Sequence, residues 1–237
     1  MNIQSITLTM SDRTKMQAQS WLPDVKPKGI IVLSHGYGEH LERYKHVCDY
    51  FTQQGYALCG MDHRGHGQNR GNSFGYFERF ELLRDDLGQV IAWAIREHPG
   101  RAVFLLGHSM GGELALSYAE AYQSTLKGLI VSASLLPTYS EFSPFQQSAL
   151  RLLGNTLPRF PAGPRVDPAT LSRDTAVTSA YTSDPLVYTG QLPARVAVEM
   201  VKTSEEVRAN LKRINLPILI MHGSGDRLVK GARGKDG

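Results

Sequence analysis

The sequence predicts an α/β fold, with a mostly parallel central sheet, helices on both faces and a helical insertion. Three observations carry that expectation. Short apolar runs alternate with helix-like segments along most of the chain. One run, Gly29-Ile-Ile-Val-Leu-Ser-His35, is apolar almost throughout, as a strand buried on both faces requires. A second run, residues 102–106, breaks at once into Gly107-His108-Ser109-Met110-Gly111 and then into good helix formers. That strand–turn–helix pattern is the sequence form of a nucleophile elbow.

In chain order, residues 3–9 and 16–22 flank Ser11-Asp12-Arg13 and read as an opening hairpin. The buried strand at 29–35 follows, then a helix over about 40–53 and a strand over 55–61. Leu83, Leu87, Val90, Ile91 and Ala94 recur near period 3.6, which predicts a long helix over about 80–98, stopped by Pro99-Gly100. The elbow strand, a helix over 110–122 and a strand at 128–132 complete the first block, and Leu216–Met221 supplies one more strand. Between them, residues 136–212 hold most of the prolines and no buried-strand run. Within that interval Phe145, Ala149, Leu152 and Leu153 fall on one helical face. The interval reads equally as a cap over the sheet's C-terminal edge or as an ordinary helical layer. The expected division is a core of residues 1–135 and 213–237 with a cap of 136–212.

A chain of 237 residues, 41% hydrophobic and 20% charged, has the composition of an ordinary globular domain. A formal charge of +4 without basic runs argues against nucleic-acid binding. The N-terminus lacks a secretory pattern, and no run approaches the ~18 apolar residues of a membrane span. A cytoplasmic protein, membrane-associated at most through its surface, is expected. Cys48 and Cys59 are expected as free buried thiols, with a disulfide left open.

The chemistry centres on Ser109. Glycines at 107 and 111 permit a turn too tight for side chains, and the following helix offers N–H groups and a dipole that favour an oxyanion. His35-Gly36-Tyr37-Gly38 follows a central strand directly, so the Tyr37 N–H is the expected second oxyanion donor beside that of Met110. Asp226, just after the 216–221 strand, is the candidate acid. His63 and His66 lie three apart, but no second cluster completes a metal site, so they read as loop-holding residues. No metal or cofactor is expected. The eight histidines stand at 35, 40, 46, 63, 66, 98, 108 and 222. None follows Asp226, where the chain order Ser, acid, His would place the base.

Together these blocks resemble the monoacylglycerol lipase and lysophospholipase group of the α/β-hydrolase superfamily, of the serine aminopeptidase S33 type, over about residues 29–229. The resemblance is carried by His35-Gly-Tyr-Gly-Glu-His40 with Arg43-Tyr44, Asp62-His-Arg-Gly-His-Gly67, Gly107-His-Ser-Met-Gly-Gly112, Ser172-Arg-Asp174 with Tyr181 and Asp184-Pro-Leu-Val187, and His222-Gly-Ser-Gly-Asp-Arg-Leu-Val229. It implies a cofactor-free serine hydrolase of small acyl esters, with Ser109 as nucleophile, Asp226 as triad acid and Tyr37 and Met110 as oxyanion donors. It also implies a cap whose apolar helix, here Phe145, Ala149, Leu152 and Leu153, forms the acyl entrance and touches membranes. After Val229 the group continues through a helix and a last strand to the triad histidine, whereas Lys230–Gly237 reads as a foreign or shifted tail, or as a cut end. The expectation is therefore a sheet lacking its last strand and helix, self-association through the open edge, and weak activity. The competing readings are a non-catalytic lipid- or small-molecule-binding protein on this scaffold, and an esterase or peptidase with other substrates.

Overall fold

The computed structural model describes residues 2–229, so the expected foreign tail lies outside the described residues. At its centre β3 (Ile30–Ser34) is buried along its whole length. It pairs in parallel with β4 (Ala57–Met61) on one side and β5 (Val103–His108) on the other. The parallel series continues through β6 (Gly128–Ser132) to β7 (Ile218–Met221). On the far side β2 (Lys15–Leu22) runs antiparallel to β4 and to β1 (Asn2–Thr9). Among the described residues the sheet has seven strands in the order β1-β2-β4-β3-β5-β6-β7.

Alternate residues of the central strands feed opposite cores, as the two-residue repeat of a strand requires. Ile30, Val32, Val103 and Leu105 join the larger cluster, with α2 (Phe80–Glu97), α3 (Met110–Tyr122) and α6 (Ala194–Asn210). Ile31, Leu33 and Leu106 join the smaller cluster with Cys48 of α1 (Lys45–Gln53). Cys48 and Cys59 are free thiols, and burial pushes both up to about 12.

The interval after β6 divides in two. α4 (Pro144–Thr156) and α5 (Thr175–Ser183) lie outside the main core, whereas α6 packs on α3 and buries Val196, Met200 and Val207 in the larger cluster. Within the expected cap of 136–212, α6 therefore packs with the sheet's helical layer. Its Glu199 accepts the Phe80 N–H at 3.2 Å, closing the α2 N-terminus that Arg79 leaves uncapped.

Among the described residues β7 is the outermost strand on its side. Leu219 and Ile220, on opposite faces, are 55% and 73% exposed. Among the described residues, no helix is long and apolar enough to cross a membrane.

The chain runs from β3 outward to β4 and then returns past β3 to β5. The strand order therefore reverses at β3–β5, and the loops leaving their C-terminal ends splay apart into a crevice. Those loops carry residues 35–38 and Ser109.

Candidate active site

Ser109 has φ 54° and ψ −119°, a conformation that side-chain-bearing residues rarely adopt. Neighbouring backbone imposes it. The Ser109 N–H donates to the Ser132 carbonyl at 2.9 Å, while its own carbonyl accepts from Gly112 at 2.9 Å as α3 begins. A Cβ at Gly107 would collide with the Gly111 carbonyl, and one at Gly111 with the Ser34 carbonyl. The glycines thus let α3 start directly against β3 and β5, with Ser109 held at its N-terminus.

Opposite it, the loop after β3 is clamped by Glu39. This carboxylate accepts the Gly36 N–H at 2.7 Å, the Arg43 Nε–H at 3.2 Å and the Tyr44 hydroxyl. Burial alone would raise its pKa, but His108, Tyr44, His35 and the Gly36 N–H together hold it below the usual range. A Cβ at Gly36 would stand 3.2 Å from the Ser109 Cβ, so this loop and the elbow are in contact. The backbone N–H groups of Tyr37 and Met110 have no intramolecular acceptor among the described residues. The Tyr37 hydroxyl donates to the Gly75 carbonyl at 2.7 Å, and its ring meets Tyr188 edge-on.

The remaining histidines and the cap fix these loops. His35 Nε2 accepts the His63 N–H at 2.8 Å, and Asp62 accepts the N–H groups of Leu41 and Gln68. Arg64 grips Asp86 of α2 through two bonds of 2.7 and 2.8 Å. His40 Nε2 meets Asp184 at 2.8 Å, and Tyr188 N–H donates to Gly38, tying the returning cap segment to the site.

Ser109, Tyr37 and Asp226 line one cavity of about 1020 Å³. Asp226 follows β7, and its Oδ1 accepts the N–H groups of Leu228 and Val229, both at 2.9 Å. Its Oδ2 lies 3.4 Å from His222 Nε2, which also approaches the Val229 carbonyl at 3.0 Å. Among the described residues no histidine is hydrogen-bonded to the Ser109 hydroxyl; His108, also in the lining, turns Nδ1 toward Ser132 at 3.2 Å. The Met110 side chain is buried in the core.

The four cap positions fall elsewhere. Phe145 and Leu152 are 82% and 63% exposed, Ala149 and Leu153 are half-buried, and none of them lines the cavity. The apolar side chains that do line the cavity are Leu135, Val166, Leu171, Val177, Leu192 and Met200. Glu39 was the residue whose part the sequence reading missed. Its signal is the three-residue spacing from Gly36, which suits a carboxylate closing a turn on a backbone N–H.

A serine on a strand-to-helix turn at the switch point of a largely parallel sheet defines an α/β-hydrolase. The family model described as serine aminopeptidase, S33, matches residues 25–236. The monoacylglycerol lipase of Mycolicibacterium smegmatis is 32% identical over 88% of this chain and 74% of its own length. Human monoglyceride lipase is likewise 32% identical, over 95% of this chain and 75% of its own. The crystal structure of the Paleococcus ferrophilus monoacylglycerol lipase superposes with TM-score 0.72 at 25% identity, covering 89% of this chain and 78% of that one. The chain belongs to this family of hydrolases, in its monoglyceride-lipase-like group.

Proposed function

We propose that the site binds single-chain acyl esters, monoacylglycerols or lysophospholipids, and cleaves them through an acyl intermediate on Ser109. The observation that carries this reading is the strained Ser109 at the α3 N-terminus, opening into a largely apolar cavity beneath the cap. The Ser109 oxygen would attack the ester carbonyl, and the developing oxyanion would take the Tyr37 and Met110 N–H groups. The alcohol would leave with the serine proton, and water would then release the acid. Asp226 is the acid that would orient a histidine base. A second reading is that esters are held with little turnover; His108, beside Ser109 in the lining, turns its Nδ1 toward Ser132 instead.

Turnover of p-nitrophenyl butyrate by the chain and by Ser109→Ala tests both. Loss of the base in a serine-protease triad costs ~10⁶ in turnover, so slow hydrolysis that depends on Ser109 is expected. A rate within about tenfold of an ordinary hydrolase, near 10 s⁻¹, would mean that another residue serves as base. A slow rate unchanged in Ser109→Ala would remove the nucleophile assignment.

Two surface roles complete the proposal. The exposed Phe145 and Leu152 on α4 would contact the surface of a lipid bilayer, delivering substrate to the cavity. The uncovered β7 would pair with a second copy, because its outer N–H and C=O groups face no strand among the described residues.

A further inference from the structure

Glu113 is fully buried in the first turn of α3, four residues after Ser109, and the proposed chemistry does not use it. Its Oε1 accepts the Ser204 hydroxyl of α6 at 2.9 Å, and its Oε2 meets no partner among the described residues. No lysine, arginine or histidine among them pairs with it. The charges on the neighbouring elements are committed elsewhere. On α6, Arg195 turns to Glu199, Lys202 to Glu81, Glu205 to the Tyr139 N–H and Arg208 to the Leu136 carbonyl. On α2 the buried Asp86 is gripped by Arg64, and at the end of β3 His35 is held by Gly36 and His63. A lone ionised carboxylate in such surroundings is far costlier than the acid, so the group keeps its proton. Burial accordingly pushes the Glu113 carboxyl well above the usual range, with the Ser204 hydroxyl opposing.

The place of this acid ties it to the elbow. Its backbone N–H donates to the Ser109 carbonyl at 3.2 Å. A helical side chain leans back toward its own N-terminus, which brings the carboxyl over the turn that Ser109 begins. Ser204 follows Met200 by one turn of α6, and Met200 lines the cavity. One buried hydrogen bond therefore joins the helix that carries the nucleophile to a wall of the cavity. The same end of α3 offers the oxyanion the Met110 N–H and the positive pole of the helix. A negative charge on Glu113 would offset part of that pole, whereas the neutral acid leaves it intact.

We propose that Glu113 is a positioning residue for the nucleophile: as a neutral acid it ties the first turn of α3 to α6 and leaves the positive end of that helix to the oxyanion. This rests on the reading of Ser109 as nucleophile and adds what holds its helix in place.

The rate at which a fluorophosphonate labels Ser109 in the whole chain tests it, with urea unfolding to check that each variant is folded. Glu113→Ala removes the link and should slow labelling about tenfold at neutral pH, because a displacement near 1 Å can cost about 10²-fold. Glu113→Gln keeps the shape and an acceptor for Ser204, and it should restore most of that loss. Ser204→Ala, a smaller change, should slow labelling in the same direction and decides the point where alanine at 113 does not fold. The pH profile separates this role from simple packing. The ratio of the parent rate to that of Glu113→Gln cancels the pH dependence of the reagent and of the serine itself. That ratio should fall by about tenfold or more between about pH 7 and 10, as Glu113 ionises in the parent alone. A ratio that stays flat to pH 10 overturns the proposal, and so does labelling of the alanine variants as fast as the parent. A parent whose Ser109 takes no label at all overturns the nucleophile reading and the proposal with it.

Discussion

Replacing Gly111 by alanine measures how much the elbow depends on backbone contact. The new Cβ would stand 2.5 Å from the His35 carbonyl oxygen and nearer still to that of Ser34, whereas ordinary contact begins at 3.4 Å. Both obstacles are backbone at the end of β3, so no side-chain rotation relieves them. The first turn of α3 must retreat from β3 by about 1 Å. Forcing volume into a packed site costs up to about 3 kcal/mol, sometimes more. For a domain of this size 1 kcal/mol corresponds to about 2–4 °C, so the melting temperature should fall by roughly 6–12 °C. Gly88→Ala is the matched control. It lies inside α2, where the added Cβ meets only Tyr118 Cε2 at an ordinary 3.5 Å. Alanine there should stabilise by about 1 kcal/mol through helix propensity alone. Thermal and urea unfolding followed by circular dichroism, run on both variants, give the two signs side by side. A 1 Å displacement of the nucleophile can cost about 10²-fold, so phosphonylation of Ser109 by a fluorophosphonate should slow as well. If Gly111→Ala melts within about 2 °C of the parent, the close approach of α3 to β3 is wrong.

Acid should destabilise the fold through its buried histidines. Burial pushes His35 and His63 below the ordinary value of 6.5 and His66 down to about 3. Their neutral forms provide stability that is complete above 6.5 and drains as pH falls toward 3, while the buried Glu113, pushed upward, opposes one of the three. Urea midpoints should therefore drop as pH falls from 6.5 toward 4.5, and a flat profile there would contradict the burial of the cluster. Phe145→Ser with Leu152→Ser should reduce co-sedimentation with lipid vesicles several-fold while leaving hydrolysis of a soluble short-chain ester unchanged; undiminished binding would place the membrane contact elsewhere. Ile220→Lys on β7 should lower the apparent mass of the chain in a concentration series of size-exclusion runs with light scattering, and a parent that stays monomeric throughout would exclude pairing through that edge.

What was legible in the sequence is what local physics determines. Ile30–Ser34 reads as a central strand because a strand buried on both faces has no polar side to show. The turn at Ser109 reads from glycines that only a backbone collision requires. What stayed hidden depends on neighbours. α6 carries Arg195, Glu199, Lys202, Glu205 and Glu206, and it looks like surface until α3 covers Val196, Met200 and Val207. The 3.6 period of Phe145, Ala149, Leu152 and Leu153 defines a face, but nothing in it says whether that face looks toward the cavity or away. The apolar run 216–221 marks a strand equally well when Ile220 is 73% exposed.

The site therefore unites parts of unequal support. Ser109 and Tyr37 follow β5 and β3, each paired on both sides and buried between two helical layers. Asp226 and Arg227 follow β7, a strand of four residues joined only to β6 among the described residues. Opening β7 would remove one ladder, expose little that is not already exposed, and displace Asp226 without disturbing Ser109 or the Tyr37 and Met110 N–H groups. Local stability follows buried contacts, so the two halves of the site need not share one free energy of opening. The fold thus anchors Ser109 more firmly than Asp226.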